Sequence, residues 1–290
     1  MSKNISGKLI LPYKEYFDLP VIFDCGQAFR FYPIERNGIM GFEGVAGNIF
    51  MRAEKSEDSI EIFYTAQDIS QAESFINKYF DTDLDYGAAR KNILEHAKVN
   101  DSVFNVTRLA MERGSGIRIL RQEPWEALIT FITSQNNNIP RIRGLIERLC
   151  TELGDKIDTE YGSFYSFPSP EKIVTAGENA LKEMKFGFRA GYISACAEKI
   201  SSKEVSLEAI EEMNDEDAFN TLTSLRGVGP KVADCVLLFG YGRKSRFPVD
   251  VWMKRAVNEL FGGILPDFGE YAGLAQQYFF YSERYGSKEK

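Results

Sequence analysis

Apolar positions recur at helical spacing through most of the second half of the chain. Ile142, Leu145, Ile146, Leu149 and Cys150 form one such stripe, and Asn138 stands where it would cap that helix. The apolar run Pro124–Ser134 carries its proline at the start, as a first helical turn tolerates. Ser169-Pro170 opens another helix, and Ala190–Ile200 and Asp215–Ser224 follow. Before residue 116 the pattern differs. Segments 38–43, 45–52 and 59–65 are rich in β-branched and aromatic residues and read as short strands, with Ser59–Thr65 alternating best. Asp68–Phe80 returns to helical spacing through Ile69, Ala72, Phe75, Ile76 and Tyr79. The fold class expected is therefore α+β: an N-terminal antiparallel sheet with helices over residues 1–115, and a mainly helical domain over 116–290. Gly114-Ser115-Gly116 marks the expected boundary.

A chain of 290 residues with 44% hydrophobic content can bury a large core. Its four cysteines, Cys25, Cys150, Cys196 and Cys235, are widely spaced, with no Cys-x-x-Cys pair. That spacing predicts neither a metal site nor a disulfide framework, and a reducing compartment. No apolar leader and no run of membrane-spanning length is evident, which makes the cytoplasm the expected location, or the nucleus in a eukaryote. The net charge of −7 disfavours nucleic acid if taken as a whole. Distribution changes that picture. Arg141, Arg143 and Arg148 cluster together, as do Arg243, Lys244, Arg246, Lys254 and Arg255, while acidic residues gather elsewhere, so a locally basic face is expected. The lone His96 lies outside these clusters and reads as a solvated helix residue.

The densest chemistry lies in Leu225-Arg226-Gly227-Val228-Gly229-Pro230-Lys231 and in Phe247-Pro248-Val249-Asp250-Val251-Trp252. The first is a tight turn with glycines at both corners, able to direct backbone N–H groups outward. Lys231 then begins an apolar helix, where the helix dipole and loss of water both disfavour the ammonium form and leave a nucleophilic amine. Asp250 stands where the next helix starts, a position that favours a carboxylate.

This combination resembles the helix-hairpin-helix DNA glycosylases, and the wording Gly-Val-Gly-Pro-Lys-Val-Ala-Asp-Cys with Pro-Val-Asp-Val-Trp-Met is similar to their 8-oxoguanine branch. The resemblance implies a bifunctional glycosylase and lyase for 8-oxoguanine in duplex DNA, acting as a monomer with Lys231 as nucleophile and Asp250 stabilising the sugar cation. It also implies roles for further segments. In Asp24-Cys25-Gly26-Gln27-Ala28-Phe29-Arg30 the carbonyl of Gly26 would accept the N7 proton that distinguishes the oxidised base. In Tyr271–Phe280, Gln276 would read the pairing edge and Phe280 would stack, with Cys235 on the other face of the base. In Ser134–Arg141, Asn136 would fill the vacated space and Arg141 contact the partner base. In Lys185–Ala190, Phe188 would wedge beside that base and Arg189 hydrogen-bond it. The family has tyrosine where Phe188 stands, which leaves the preferred opposite base open, and histidine where Trp252 stands, which leaves open its phosphate contact. Gly227 and Gly229 would hold the DNA backbone. No cofactor is required by this resemblance, although relatives carry a monovalent cation at the hairpin. Two alternatives stay open here. One is a glycosylase for an alkylated base, whose relatives keep the aspartate but lack the lysine; the other is a non-enzymatic module that uses the hairpin for backbone contact alone.

Overall fold

The computed structural model describes residues 4–12, 15–36 and 38–286. Five antiparallel strands, β1 (Ile5–Pro12), β2 (Phe31–Arg36), β3 (Ile39–Ala46), β4 (Ile49–Lys55) and β5 (Ser59–Ala66), form one sheet in the order β1-β5-β4-β3-β2. Helices α1 (Leu19–Asp24) and α2 (Ile69–Tyr79) are the first two in the chain, and both bury residues in the core that the inward side chains of the sheet form. The expected strand over 45–52 is corrected: it straddles a turn. Gly47 and Asn48 both take positive φ, 54° and 61°, as a two-residue hairpin loop between β3 and β4 requires. The sequence reading also omits β1 and β2, the two edges; β2 carries Pro33, which an edge strand accepts because one row of its N–H groups is unpaired.

The helical part comprises α3 (Tyr86–Ala97), α4 (Asp101–Arg113), α5 (Pro124–Ser134), α6 (Ile139–Leu153), α7 (Pro170–Glu183), α8 (Arg189–Ser201), α9 (Leu207–Glu212), α10 (Asp215–Thr223), α11 (Pro230–Cys235), α12 (Val251–Phe261) and α13 (Ala272–Gly286). Although α3 and α4 precede Gly114, their buried residues Ile93, Ala97, Val103 and Met111 belong to the helical core, not to that of the sheet. A small hairpin, β6 (Lys156–Thr159) and β7 (Gly162–Tyr165), leaves the helical part and covers the outer face of the sheet at Val45 and Phe50. That cover explains why β4 is buried on both faces and lacks clean alternation: Arg52 lies over the Tyr161 ring at 4.8 Å and pairs with Glu54. Helix starts follow local rules. Asn138 accepts from Arg141 N at 3.0 Å, Ser169 from Lys172 N at 3.4 Å and Asp250 from Met253 N at 2.8 Å. His96 is half-buried instead of solvated, because Gly269 brings its backbone against the imidazole, whose Nδ1 lies 3.0 Å from Asn92 O. Among the described residues no helix is long and apolar enough to cross a membrane.

Candidate active site

Helix α10, the Leu225–Gly229 turn and α11 form the hairpin. Gly227 has φ +85°, and a Cβ placed there would stand 2.3 Å from the Tyr192 ring, so backbone conformation and space both demand glycine. The N–H groups of Gly227 and Gly229 donate to no protein acceptor among the described residues, and nothing lies within 4 Å of where a Gly229 Cβ would be. Past the turn, Lys231 and Cys235 lie four residues apart on α11, hence on one face. Helix α11 continues directly into a π-helical turn, Val236–Gly240, which is wholly buried.

That face opens onto a cavity of about 480 Å³, within the range of small-molecule sites. Gly26, Lys231, Cys235, Asp250, Trp252, Gln276 and Phe280 all line it, although they come from segments separated by up to 254 positions. Lys231 Nζ donates to Ser134 Oγ at 3.2 Å and stands 5.2 Å from the centre of the Phe131 ring. Among the described residues it forms no ion pair. The Asp250 carboxylate is held at the start of α12 by the Met253 amide at 2.8 Å. Burial pushes the Cys235 thiol up to about 11, against the pull of Lys231, so at neutral pH this sulfur is a thiol and does not compete as a nucleophile. Opposite, Gly26 takes φ +78°, and a Cβ there would stand 2.9 Å from Phe280 Cε1. Gly26→Ala is therefore expected to close the gap toward Phe280 and to strain a left-handed residue by about 1–2 kcal/mol. The expected result is a ten- to hundredfold loss in single-turnover base release, measured beside the wild type, with a few degrees lost in Tm.

Asn136, Arg141, Phe188 and Arg189 are not among the residues that line the cavity. Asn136 is exposed with φ +48°, and Arg141 is exposed on the first turn of α6. Phe188 is 55% exposed, its edge against Tyr192. Trp252 is 58% exposed, with the Arg255 guanidinium 5.3 Å from its ring centre. Arg189 is turned the other way. It is 3% exposed, and its guanidinium donates to the carbonyls of Gln135 at 2.9 Å, Asn136 at 2.9 Å and Phe186 at 3.4 Å. The carbonyls that accept from Arg189 belong to the loop that carries Asn136 and to Phe186, so its guanidinium braces that loop. Gln135 completes the brace, donating to Gly227 O at 2.9 Å and so tying that loop to the hairpin.

The basic face is also smaller than expected. Arg243 pairs with Asp215 at 2.7 Å, Arg246 with Asp215 and Asp234 at 3.5 Å each, and Lys244 with Asp81 at 3.1 Å. Arg143 and Arg148 donate to the carbonyls of Phe23 and Met184. Among the described residues, Arg141, Lys254 and Arg255 are exposed and have no ion pair.

Comparison with known proteins agrees with this geometry. Residues 8–128 match the 8-oxoguanine DNA glycosylase N-terminal domain, and residues 129–264 match the HhH-GPD superfamily of base excision DNA repair proteins. The N-glycosylase/DNA lyase of Saccharomyces cerevisiae is 34% identical over 270 residues, covering 86% of this chain and 69% of that protein. The chain belongs to the 8-oxoguanine DNA glycosylase family. Two solved members are similar throughout. The Clostridium acetobutylicum 8-oxoguanine glycosylase/lyase, in complex with double-stranded DNA containing cytosine opposite 8-oxoguanine, has 32% identity and a TM-score of 0.85 over 99% of this chain and 100% of its own. MBOgg1 in complex with a low-affinity DNA ligand has 35% identity and a TM-score of 0.86 over the same shares.

Within this family member, sequence reasoning left out Ser134, Phe131 and Gln277, which line the same cavity. Ser134 stands one residue before the Gln-Asn-Asn-Asn segment, so its place in the sequence was visible. Its hydrogen bond to an amine 97 residues away was not.

Proposed function

We propose that this chain excises 8-oxoguanine from duplex DNA and then nicks the strand at the abasic sugar. The observation that carries this reading is the convergence of the Lys231 amine, the Asp250 carboxylate and a set of base-sized contacts on a single cavity. The lesion must leave the base stack to reach such a site. The N–H groups of the hairpin suit the backbone phosphates, and Asn136 and Phe188, both exposed, suit the gap left behind. Lys231 Nζ attacks C1′ as the bond to N9 breaks, and the departing base takes up a proton. The Asp250 carboxylate stabilises positive charge on the sugar during that step. The amine adduct opens to a Schiff base, which permits loss of a 2′ proton and elimination of the 3′ phosphate. Lysine at position 231 favours this chemistry over that of the alkyl-base relatives, and the cavity argues against a module that only binds.

The carbonyls of Leu225, Arg226 and Gly227 already accept from Val228 N, Cys196 Sγ and Gln135 Nε2, with one lone pair each remaining. An oxygen-only set of this kind suits a weakly held monovalent cation at the hairpin. The working compartment is the one that holds the DNA, cytoplasm or nucleus.

Release of the free base from a duplex containing 8-oxoguanine opposite each of the four bases, followed by chromatography, tests the reading. Release is expected, with little penalty for a partner other than cytosine, since Phe188 has no hydroxyl to contribute. A chain that binds this duplex and releases no base would overturn it.

A further inference from the structure

The walls of the cavity come from different parts of the chain. Lys231 and Asp250, the groups assigned to the sugar, stand on α11 and at the start of α12, whereas Gly26 belongs to the loop between α1 and β2. Gly26 has no side chain with which to hold its own place, and its neighbour does so instead. Gln27 is fully buried, and its amide is saturated. Nε2 donates to Ile22 O at 3.1 Å and to Arg118 O at 2.7 Å, and Oε1 accepts from Leu120 N at 2.8 Å. A half-turn of that amide would set its oxygen against two carbonyls and its NH2 against an N–H, so its orientation is fixed. The Gln27 carbonyl in turn accepts from Gln122 Nε2 at 2.7 Å.

Residues 118–122, which receive these bonds, are anchored without Gln27. Ile119 N donates to Tyr86 Oη at 2.8 Å, Arg121 N to Tyr79 O at 2.9 Å and Gln122 N to Phe239 O at 2.7 Å. Phe239 belongs to the buried π-helical turn that continues α11, and it lines the cavity as well. Gln27 thus hangs the Gly26 loop on a frame that stays in place without it, and its side-chain bonds reach neither α11 nor α12. Gly26 also packs against Phe280, whose ring an added Cβ would meet at 2.9 Å. The two make one wall, and a shift of the loop would open a gap behind the ring. Loss of the Gln27 amide should therefore loosen that wall and leave the amine and the carboxylate where they are.

We propose that Gln27 is a positioning residue for base release: it holds the wall formed by Gly26 and Phe280 in place for the extruded base and takes no part in the sugar chemistry. The assignment rests on the excision of 8-oxoguanine proposed above.

Gln27→Met, apolar and close in shape, removes the three side-chain bonds and tests it. Single-turnover rates are compared on two duplexes, one containing 8-oxoguanine and one carrying a preformed abasic site, which presents the sugar with no base. Adducts trapped with borohydride on the abasic duplex count the competent sites in each preparation. Base release should fall by about tenfold to a hundredfold, the scale of a displacement of about 1 Å, while nicking of the abasic duplex changes by less than about threefold. Gln122→Met, which frees only the Gln27 carbonyl, should lower base release by a smaller factor with the same sparing of nicking, and it serves if the first variant does not fold. Equal losses in both rates would make Gln27 merely structural and overturn the inference. Base release unchanged in the folded variants would also overturn it, with the excision reading left in place. Failure of the wild type to release the base, with abasic nicking retained, would overturn the excision reading and this inference with it.

Discussion

Lys231→Gln is expected to lower base release from an 8-oxoguanine duplex by about ten-thousandfold or more and to abolish the covalent adduct, the scale seen when a nucleophile is removed. Glutamine is close to lysine in length and can still donate to Ser134 Oγ, which now holds Nζ at 3.2 Å. The residue is half-buried on the first turn of α11, so the fold should persist within about 0.5 kcal/mol. Loss of activity with an unchanged thermal midpoint would place the amine in the chemistry. Loss of both together would make Lys231 structural. Cys235 does not offer a substitute nucleophile, since its buried thiol is pushed up to about 11.

Asp250→Asn separates two duties of one side chain. The carboxylate caps α12 through Met253 N, and asparagine caps a helix as well as aspartate does. Stability should therefore change only by the lost charge–dipole interaction, about 0.3–1 kcal/mol. The second duty, stabilising charge as the sugar loses its base, is lost outright. Removing one such electrostatic partner typically lowers the rate by about a hundredfold to a thousandfold. Single-turnover kinetics should show that fall in the chemical step, with duplex binding nearly unchanged. A variant that binds poorly yet reacts at the wild-type rate once saturated would assign Asp250 to DNA binding instead.

Much of the active site was legible because local rules determine it. Asn138, Ser169 and Asp250 cap helices where the sequence places caps, and Gly227 has the positive φ that a glycine corner announces. Family resemblance brought Gly26, Gln276 and Phe280 to the same cavity, which no periodicity would have done. What was not legible depends on tertiary contact. The charges of Arg243, Lys244 and Arg246 count toward a basic face only until Asp215, Asp234 and Asp81 fold against them. The bonds of Arg189 to the carbonyls of Gln135, Asn136 and Phe186 likewise join residues up to 54 positions apart. The edge strand β2 escaped notice for another reason: it contains Pro33. The central strand β4, covered on both faces, does not alternate as a half-buried strand should either.

The central claim is that the Lys231 amine bonds to the sugar of the damaged nucleotide. Borohydride reduction during reaction with an 8-oxoguanine duplex, followed by proteolysis and mass spectrometry of the trapped complex, measures this directly. The expected result is one peptide modified at Lys231, formed only while the base is being released. An adduct on any other residue, or efficient base release with nothing trapped, would contradict it.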